Sequence, residues 1–292
     1  MEREYIDCGG ELSFTNPNLR DETIKLLLKI EHLGDKKRFL LDFTNCEKIC
    51  ALTALYLFAI VTGRQHYSSK KICTIKLPKY KLLRREMEHL GFTEALCIAK
   101  KGKLVDLWSQ SSFVCGNLSN TTLLKDAMKR ELGLSKLPDK LATAIKETCL
   151  NVYHHAYGKP TRLLDVQWWS YFYKDNDEFG EYVDIGICDR GLGIPSTIKP
   201  LYQIGKPDDS YLIRQAMKAS ITSTRQTDRG KGSTDIIKPI KFMKNCNDKL
   251  LVLSGNTGIY YRMSNAELVD SKLQEFKNPI KGTLVQWRLY LN

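Results

Sequence analysis

The segment DIGICDRGLGIP, residues 184–195, joins an apolar run to a glycine-rich turn. The run predicts a buried strand that ends at Asp189, and Gly191 and Gly193 follow two residues apart. Glycine permits a tight turn and a close approach of the backbone to a ligand. A carboxylate at a strand end can accept a hydrogen bond from an exocyclic amine. The segment therefore suggests a ligand site, although Asp and Gly also fill ordinary turns.

Upstream of this turn, the segment ETCLNVYHHAY, residues 147–157, predicts a polar helix face. Glu147 and Asn151 are four residues apart and so share one face of a helix. Asn151 can offer an amide oxygen to Mg²⁺, which prefers hard oxygen ligands, and Glu147 can act as a general base. The same spacing also fits two polar residues on a solvated helix face, and the segment alone leaves both interpretations open.

Downstream, the segment TDRGKGSTDI, residues 227–236, has the composition of an anion-binding loop. Gly230 and Gly232 precede a predicted helix that begins near Ser233, and Lys231 adds positive charge. Backbone N–H groups at a helix N-terminus bind anions. The spacing is not that of a P-loop, and a flexible connector would have a similar composition.

The last segment, KGTLVQW, residues 281–287, places Gly282 and Thr283 at the start of a predicted final strand. The hydroxyl group of Thr283 could complete a polar cluster. Because threonine is common in strands, this segment carries little information by itself.

In this order and spacing, the four segments resemble the GHKL, or Bergerat-fold, superfamily of gyrase, heat-shock chaperone, histidine-kinase and mismatch-repair ATPases. Residues 147–157 look most similar to the anti-sigma-factor serine kinases. The resemblance covers roughly residues 118–292. It implies an α/β sandwich, a mixed sheet covered by helices, that binds ATP and Mg²⁺ beneath a mobile lid between Ile194 and Arg229.

The resemblance also implies roles for individual residues. Glu147 would polarise the attacking nucleophile as the catalytic residue, Asn151 would hold Mg²⁺ as the metal ligand, and Asp189 would bind the adenine amino group. The residues implied to contact the nucleotide are Asn151, Asp189, Gly191, Gly193, Ile194, Gly230, Lys231, Gly232, Ser233 and Thr283. The sequence departs from the family at G-K-G-S-T-D-I, where many relatives have G-x-G-L-G-L.

The first hundred residues predict a separate, small α/β domain. Strands are predicted at 38–43 and 72–77, and helices at 18–33, 50–66 and 80–90. Asn18 is the predicted N-cap of the first helix, and the second helix is predicted to end near Gly63. The segment LDFTNCEKICALTALYLF, residues 41–58, resembles the strand–loop–helix centre of a STAS domain. The antagonists of that family carry a phosphorylatable serine after an aspartate at the start of this helix, whereas residues 50–53 here read C-A-L-T, with no serine and no adjacent acid. Two interpretations of Thr53 are open: it is a phosphorylation site, or it packs or caps a buried helix.

The second half predicts an α+β arrangement. Helices are expected at 120–132 and 138–157, and strands at 162–173, 182–188, near Leu250, near Ile259 and at 283–290. The predicted fold class is therefore α/β followed by α+β. A STAS-like domain is expected over residues 1–105 and a GHKL ATP-binding domain over residues 106–292.

Composition restricts the class of protein. The 292 residues include 42% hydrophobic and 27% charged residues, which excludes wholesale disorder, and no apolar run approaches the length of a membrane span. No apolar signal core is present near the first residue, so we expect a cytoplasmic protein. The odd count of nine cysteines, without paired C-x-x-C spacing, argues against a disulfide framework and a zinc site.

The net charge of +12 favours anionic partners without choosing among them. The first functional hypothesis is an ATP- and Mg²⁺-binding signalling protein, either a protein serine/threonine kinase-like enzyme or a slow ATPase switch. The alternative is a non-catalytic, ATP-gated regulator that sequesters a partner protein in the manner of an anti-sigma factor. A nucleic-acid-binding protein ranks last because no recognisable motif supports it, and a homodimer is left open.

Overall fold

The structure is a computed structural model that describes residues 3–33, 37–68, 71–98, 104–157, 166–202, 207–218, 232–243 and 245–291. Helices and sheets alternate in a mixed α/β arrangement. Within these residues, no helix combines the length and the apolar character needed to cross a lipid bilayer.

The chain divides into two compact units. The first contains Met1–Cys115 with Trp169–Tyr171, and the second contains Gly116–Trp168 with Phe172–Asn292. The boundary predicted between residues 105 and 106 lies ten residues before the division at Cys115.

The first unit combines short strands with helices. Its strands and helices are β1 (Glu4–Asp7), β2 (Gly10–Leu12), α1 (Pro17–Glu31), β3 (Phe39–Asp42), β4 (Cys46–Ile49), α2 (Ala51–Ser68), β5 (Cys73–Lys76), α3 (Lys81–His89), α4 (Phe92–Cys97), α5 (Leu104–Gln110) and β6 (Phe113–Gly116). A parallel sheet has the order β1-β3-β5, and β2 pairs with β4, also in parallel.

Helix α1 begins one residue earlier than predicted and has a different cap. The side chain of Asn16, not Asn18, is the N-terminal cap, and it accepts a hydrogen bond from the backbone N–H of Asn18. Pro17 occupies the first helical position, where a missing N–H group costs nothing. The prediction of Asn18 as the cap was wrong because an asparagine on either side of the proline fits the local pattern.

Helix α2 continues through Gly63, where the sequence predicted its end, and reaches Ser68. Every residue from Leu52 to Thr62 is buried. A glycine inside a helix costs about 1 kcal/mol relative to alanine. Burial of an almost entirely apolar helix outweighs that cost.

The second unit carries most of the antiparallel structure. Its helices and strands are α6 (Thr121–Glu131), α7 (Asp139–Asn151), a π-helix (Val152–Ala156), β7 (Trp168–Asp177), β8 (Gly180–Asp189), α8 (Gly193–Ile198), α9 (Asp209–Met217), α10 (Gly232–Met243), β9 (Lys249–Gly255), β10 (Thr257–Ser264), β11 (Glu267–Lys272) and β12 (Ile280–Tyr290). Among the described residues, a sheet has the strand order β11-β10-β9-β12-β8-β7-β6, and the division between the two units falls inside β6.

Strand β11 is absent from the sequence prediction, which placed three strands near the end of the chain. Its residues are exposed or half-buried and show no apolar alternation. The strand exists because it pairs with β10 across a tight turn in which Asn265 and Ala266 have positive φ angles. Pairing between neighbouring strands, not local hydrophobicity, therefore defines this element.

Candidate functional site

Strand β8 carries Asp189 to the helix-covered face of the sheet. Alternate residues of a strand share a face, so Asp189 lies on the same face as Ile185. Ile185 is opposite Trp287 of β12, and the indole N–H of Trp287 donates to the carbonyl of Ile236 on α10 at 2.9 Å. The carboxyl group of Asp189 therefore faces the layer of helices.

Asp189 is only 5% exposed, and this burial raises its pKa to about 7. The backbone N–H groups of Gly191, at 2.8 Å, and Thr283 hydrogen-bond the carboxylate and oppose the rise in its pKa. A carboxylate has about four lone-pair positions, so two donors leave further acceptor capacity. A buried carboxyl group that titrates near neutral pH is typical of functional sites.

The glycines of the turn after β8 allow three chain segments to meet. A Cβ atom on Gly191 would collide with the carbonyl oxygen of Ala156, and the N–H of Leu192 donates to that oxygen at 2.8 Å. Gly193 has a φ of +77°, and a Cβ atom there would lie 2.9 Å from the carbonyl oxygen of Gly282. The sequence predicted that these glycines let the backbone approach a ligand. In the structure, they let it approach the backbone of Ala156 and Gly282.

Strand β12 brings Thr283 next to Asp189 through an irregular start. The pairing of β12 with β9 shifts register between Ile280 and Thr283. Gly282 has a φ of +82°, and a Cβ atom there would collide with the backbone of Asp189. Only glycine allows this approach, which places the predicted residues Asp189 and Thr283 side by side on neighbouring strands.

A residue that the sequence did not single out, Ser254 at the end of β9, connects these segments. Its hydroxyl donates to the carbonyl oxygen of Gly282 at 2.9 Å and lies 3.1 Å from the hydroxyl of Thr283. The backbone N–H of Ile194, at the start of α8, donates to the Ser254 hydroxyl at 2.9 Å. Ser254 thus joins β9, β12 and the glycine turn.

Helix α7 carries Glu147 and Asn151, both half-buried, on one face. The helix begins at Asp139 and changes after Asn151 into the π-helix that ends at Ala156, where the sequence predicted one continuous helix over 138–157. Because Ala156 is the residue that contacts Gly191 and Leu192, the same chain segment connects the Glu147 face with the glycine turn. Short π-helical turns within helices are frequent at functional sites.

Tyr157 connects the end of the π-helix to the turn after β8 through hydrogen bonds. Its hydroxyl donates to the carbonyl oxygen of Gln167 at 2.8 Å and accepts from the backbone N–H of Arg190 at 3.1 Å. Burial, followed by the neighbouring carboxylate of Asp189, raises the pKa of Tyr157 far above its usual value. Tyr157 is therefore a neutral hydroxyl that holds Arg190, the residue directly after Asp189.

Helix α10 packs against α7 and contributes charge near Glu147. Burial is the main cause of the raised pKa of Glu147, and Asp235 of α10 raises it further. Lys146 and Lys238 oppose this rise, and Lys238 forms an ion pair with Asp235. A carboxylate with a raised pKa and two nearby ammonium groups can act as a proton acceptor beside an anionic ligand.

Part of the predicted phosphate loop lies outside the described residues. The structure does not describe Gly230 and Lys231, nor residues 203–206 and 219–229 of the predicted lid. Gly232 and Ser233 are described as the first two residues of α10. The helix predicted to begin near Ser233 is thus present, and it begins one residue earlier.

The candidate ligands of Mg²⁺ in the described residues are few. Among the described residues, no group of three or more His, Cys, Asp or Glu side chains is arranged to hold a metal ion. Mg²⁺ commonly keeps several waters and binds one or two protein oxygens together with substrate phosphates. A single amide ligand from Asn151 therefore fits Mg²⁺ only if phosphate oxygens complete its coordination.

The structure thus brings together two groups of predicted residues. Asp189, Gly191, Gly193, Ile194 and Thr283 are linked by the contacts described above. Glu147 and Asn151 share α7, which packs on the helix that begins with Gly232 and Ser233.

Sequence reasoning missed Ser254, Tyr157 and Asp235 as contributors to these groups. The segment LVLSGNTGI, residues 251–259, has an apolar run that ends in Ser254 and Gly255, and this resembles the end of β8 at Asp189. That pattern is the one local signal that could have directed attention to Ser254.

In comparisons with known proteins, no family model and no curated protein matches this chain.

Proposed function

We propose that this chain is an ATP- and Mg²⁺-binding signalling protein of the GHKL type. The observation that carries the proposal is the pairing of Asp189 and Thr283 at the buried end of two neighbouring strands, beside a glycine turn that contacts the segment following α7. The four segments that resemble the GHKL superfamily in sequence supply most of these residues. The described parts of all four lie in the second unit.

In this proposal the base of ATP is bound by Asp189, whose free acceptor positions match an exocyclic amino group. The hydroxyl of Thr283 supports the same end of the base. Gly191, Gly193 and Ile194 position the turn, and Gly230, Lys231, Gly232 and Ser233 surround the phosphates. Helix α10 is described from Gly232, and the N–H groups at a helix N-terminus attract anions.

Asn151 would hold Mg²⁺, and Glu147 would accept the proton of the attacking water or hydroxyl group. Bound ATP supplies the transferable phosphoryl group, and Mg²⁺ neutralises its oxygens. The raised pKa of Glu147 brings the group closer to the pKa range in which a base works near neutral pH. A kinase-like or slow ATPase reaction is therefore the activity that we propose.

The first unit is proposed to be a STAS-like domain, since it combines a parallel β1-β3-β5 sheet with the buried helix α2. Thr53 is fully buried, and its hydroxyl accepts from the backbone N–H of Phe14 at 3.1 Å. This contact supports a packing role for Thr53 over the phosphorylation hypothesis. We also propose a cytoplasmic setting, in which the nine cysteines would stay reduced.

The proposal is tested by calorimetry with ATP and Mg²⁺, followed by a turnover assay. Asp189→Asn is expected to weaken ATP binding by about 1–3 kcal/mol, because the buried amino group of adenine loses its charged acceptor. Glu147→Gln is expected to bind ATP normally and to abolish turnover, whereas Glu131→Gln, an exposed position on α6, serves as the control. If the unaltered protein does not bind ATP, the proposed function is wrong.

One observation favours the alternative, a non-catalytic regulator gated by ATP. Leu192, inside the proposed nucleotide turn, is 61% exposed, so an apolar side chain adjoins the proposed ligand site. Such a side chain can bind a partner protein whose affinity depends on the nucleotide, provided that ATP and ADP stabilise different arrangements of the turn. Tight ATP binding without turnover, and partner affinity that differs between ATP and ADP, would identify this function.

A further inference from the structure

The hydrogen bonds around Ser254 determine the direction in which the Thr283 hydroxyl points its proton. Ser254 is fully buried at the end of β9. A serine hydroxyl has one proton to donate and two lone pairs that accept. Three neighbours use this capacity completely: the carbonyl of Gly282, the N–H of Ile194 and the hydroxyl of Thr283.

The carbonyl oxygen of Gly282 can only accept, so the proton of Ser254 goes to that oxygen. The N–H of Ile194 can only donate, so it occupies one lone pair of Ser254. The second lone pair remains for Thr283, which must therefore donate its own proton to Ser254 across 3.1 Å. The Thr283 oxygen then keeps two lone pairs and has no proton to offer a ligand.

Building on the proposed function, we propose that Ser254 is a positioning residue that fixes the Thr283 hydroxyl as a hydrogen-bond acceptor and thereby makes the site select a base with an exocyclic amino group. Asp189, on the neighbouring strand, is also an acceptor in its ionised form. An amino group has two N–H donors and matches two adjacent acceptors. A base that carries a carbonyl oxygen in place of the amino group brings a third acceptor against the Asp189 carboxylate and the Thr283 oxygen.

The arrangement is built into the fold and does not rest on flexible side chains. Ser254 lies opposite Thr283 in the β9–β12 ladder. A Cβ atom on Gly193 would lie 2.9 Å from the Ser254 hydroxyl oxygen, so the glycine turn also closes over Ser254. Ser254 therefore acts on the ligand through Thr283.

The test compares the affinities for ATP and for inosine triphosphate, which carries a carbonyl in place of the 6-amino group. At pH 8, where Asp189 is largely ionised, the unaltered protein is expected to bind ATP at least about tenfold more tightly, because two buried acceptors reject a base whose 6-position carries no N–H donor. Ser254→Ala releases the Thr283 proton, which can then be donated to the carbonyl of inosine, and the affinity ratio is expected to fall by about tenfold. Ser210→Ala, a buried serine of α9 that donates to Asp208, is the control and should keep the ratio.

A second variant keeps the test independent of how well Ser254→Ala folds. Thr283→Val removes the acceptor and is expected to lower the ratio by itself, and adding Ser254→Ala should then change the ratio no further. Equal loss of affinity for both nucleotides in Ser254→Ala would indicate a purely structural role and overturn the inference. If the unaltered protein binds ATP but does not distinguish it from inosine triphosphate, only this inference is overturned; if it binds neither, the proposed function is overturned as well.

Discussion

Asp189 has its unusual chemistry because of where the strand ends. An aspartate in water titrates near pH 4, but burial at the end of β8 raises the pKa of Asp189 to about 7. Two backbone N–H groups stabilise the charged form only in part. The group is therefore close to half-ionised at neutral pH, where a nearby donor can shift its charge.

Titration of Asp189 should make nucleotide binding depend on pH. The ionised carboxylate accepts hydrogen bonds better than the protonated acid, so affinity for ATP should increase as pH rises through about 7. A pKa of about 7 predicts roughly tenfold tighter binding at pH 8 than at pH 6. Calorimetry at both values, on the unaltered protein and on Asp189→Asn, measures the effect.

Ionisation of the ATP phosphates affects both proteins alike, so it cancels in the ratio of their affinities. An affinity ratio that stays constant between pH 6 and pH 8 would mean that Asp189 does not titrate in the site.

At the scale of elements, the segment after α7 is held by a few backbone contacts. The π-helix ends at Ala156, whose carbonyl meets the glycine turn, and Tyr157 then bridges Arg190 and Gln167. These bonds tie the helix that carries Glu147 to the strand that carries Asp189. Their loss would disturb both groups of proposed site residues at once.

Tyr157→Phe is expected to destabilise the protein by about 1–3 kcal/mol, because two backbone groups lose their hydroxyl partner. Chemical denaturation measures this change. Tyr80→Phe is the matched control: its exposed hydroxyl donates to Glu47 at 3.0 Å, and its loss should cost less than about 1 kcal/mol. Equal effects in the two variants would show that the bridge contributes no more than a surface contact.

A substitution in helix α2 is expected to stabilise the protein. Gly63→Ala should stabilise the protein by about 0.5–1 kcal/mol, because alanine loses less conformational entropy inside a helix. The added Cβ atom would lie 3.5 Å from the ring of Trp169, which is an ordinary contact. Thermal and chemical denaturation both report the change.

Gly191→Ala is the comparison for that substitution, since its Cβ atom would collide with the backbone of Ala156. This variant should be clearly destabilised. A destabilised Gly63→Ala would show that α2 has no room for the methyl group.

For the whole molecule, buried carboxyl groups make folding depend on pH. Asp248, the residue directly before β9, is fully buried, and this burial raises its pKa to about 6. One carboxyl oxygen accepts from the backbone N–H of Tyr290 at 2.8 Å, and this contact and the backbone of Asn245 oppose the rise in pKa only in part. The folded state therefore prefers the protonated acid.

The sign of the effect follows from that preference. Below about pH 4 Asp248 is protonated in both the folded and the unfolded state, and as pH rises to about 6 the unfolded state releases its proton first. Stability is lost across this range. Asp248→Asn removes the titration and should become progressively more stable than the unaltered protein from pH 4 to pH 6, as measured by denaturation.

Asp106→Asn, at an exposed position of α5, is the control and should run parallel to the unaltered protein. A constant difference between Asp248→Asn and the unaltered protein across this range would show that Asp248 does not titrate within it.

Local sequence was sufficient to place the residues whose position depends on their neighbours along the chain. The apolar run before Asp189 predicted a strand end, the spacing of Glu147 and Asn151 predicted one helix face, and the turn residues predicted the break at Gly191. Helix and strand periodicity depend on contacts within a few residues, so they can be recognised in a single sequence.

The remaining features depend on residues that are far apart in the chain and meet only in the folded protein. Ser254 bonds to Gly282 and Ile194, which are 28 and 60 residues away, and no local pattern encodes such a pairing. Strand β11 forms by pairing with β10 despite its polar sequence, and α2 passes through Gly63 because its surroundings bury it. The proton on Thr283 likewise acquires its direction only when three distant segments meet at one buried hydroxyl, since hydrogen-bond capacity is filled by spatial neighbours.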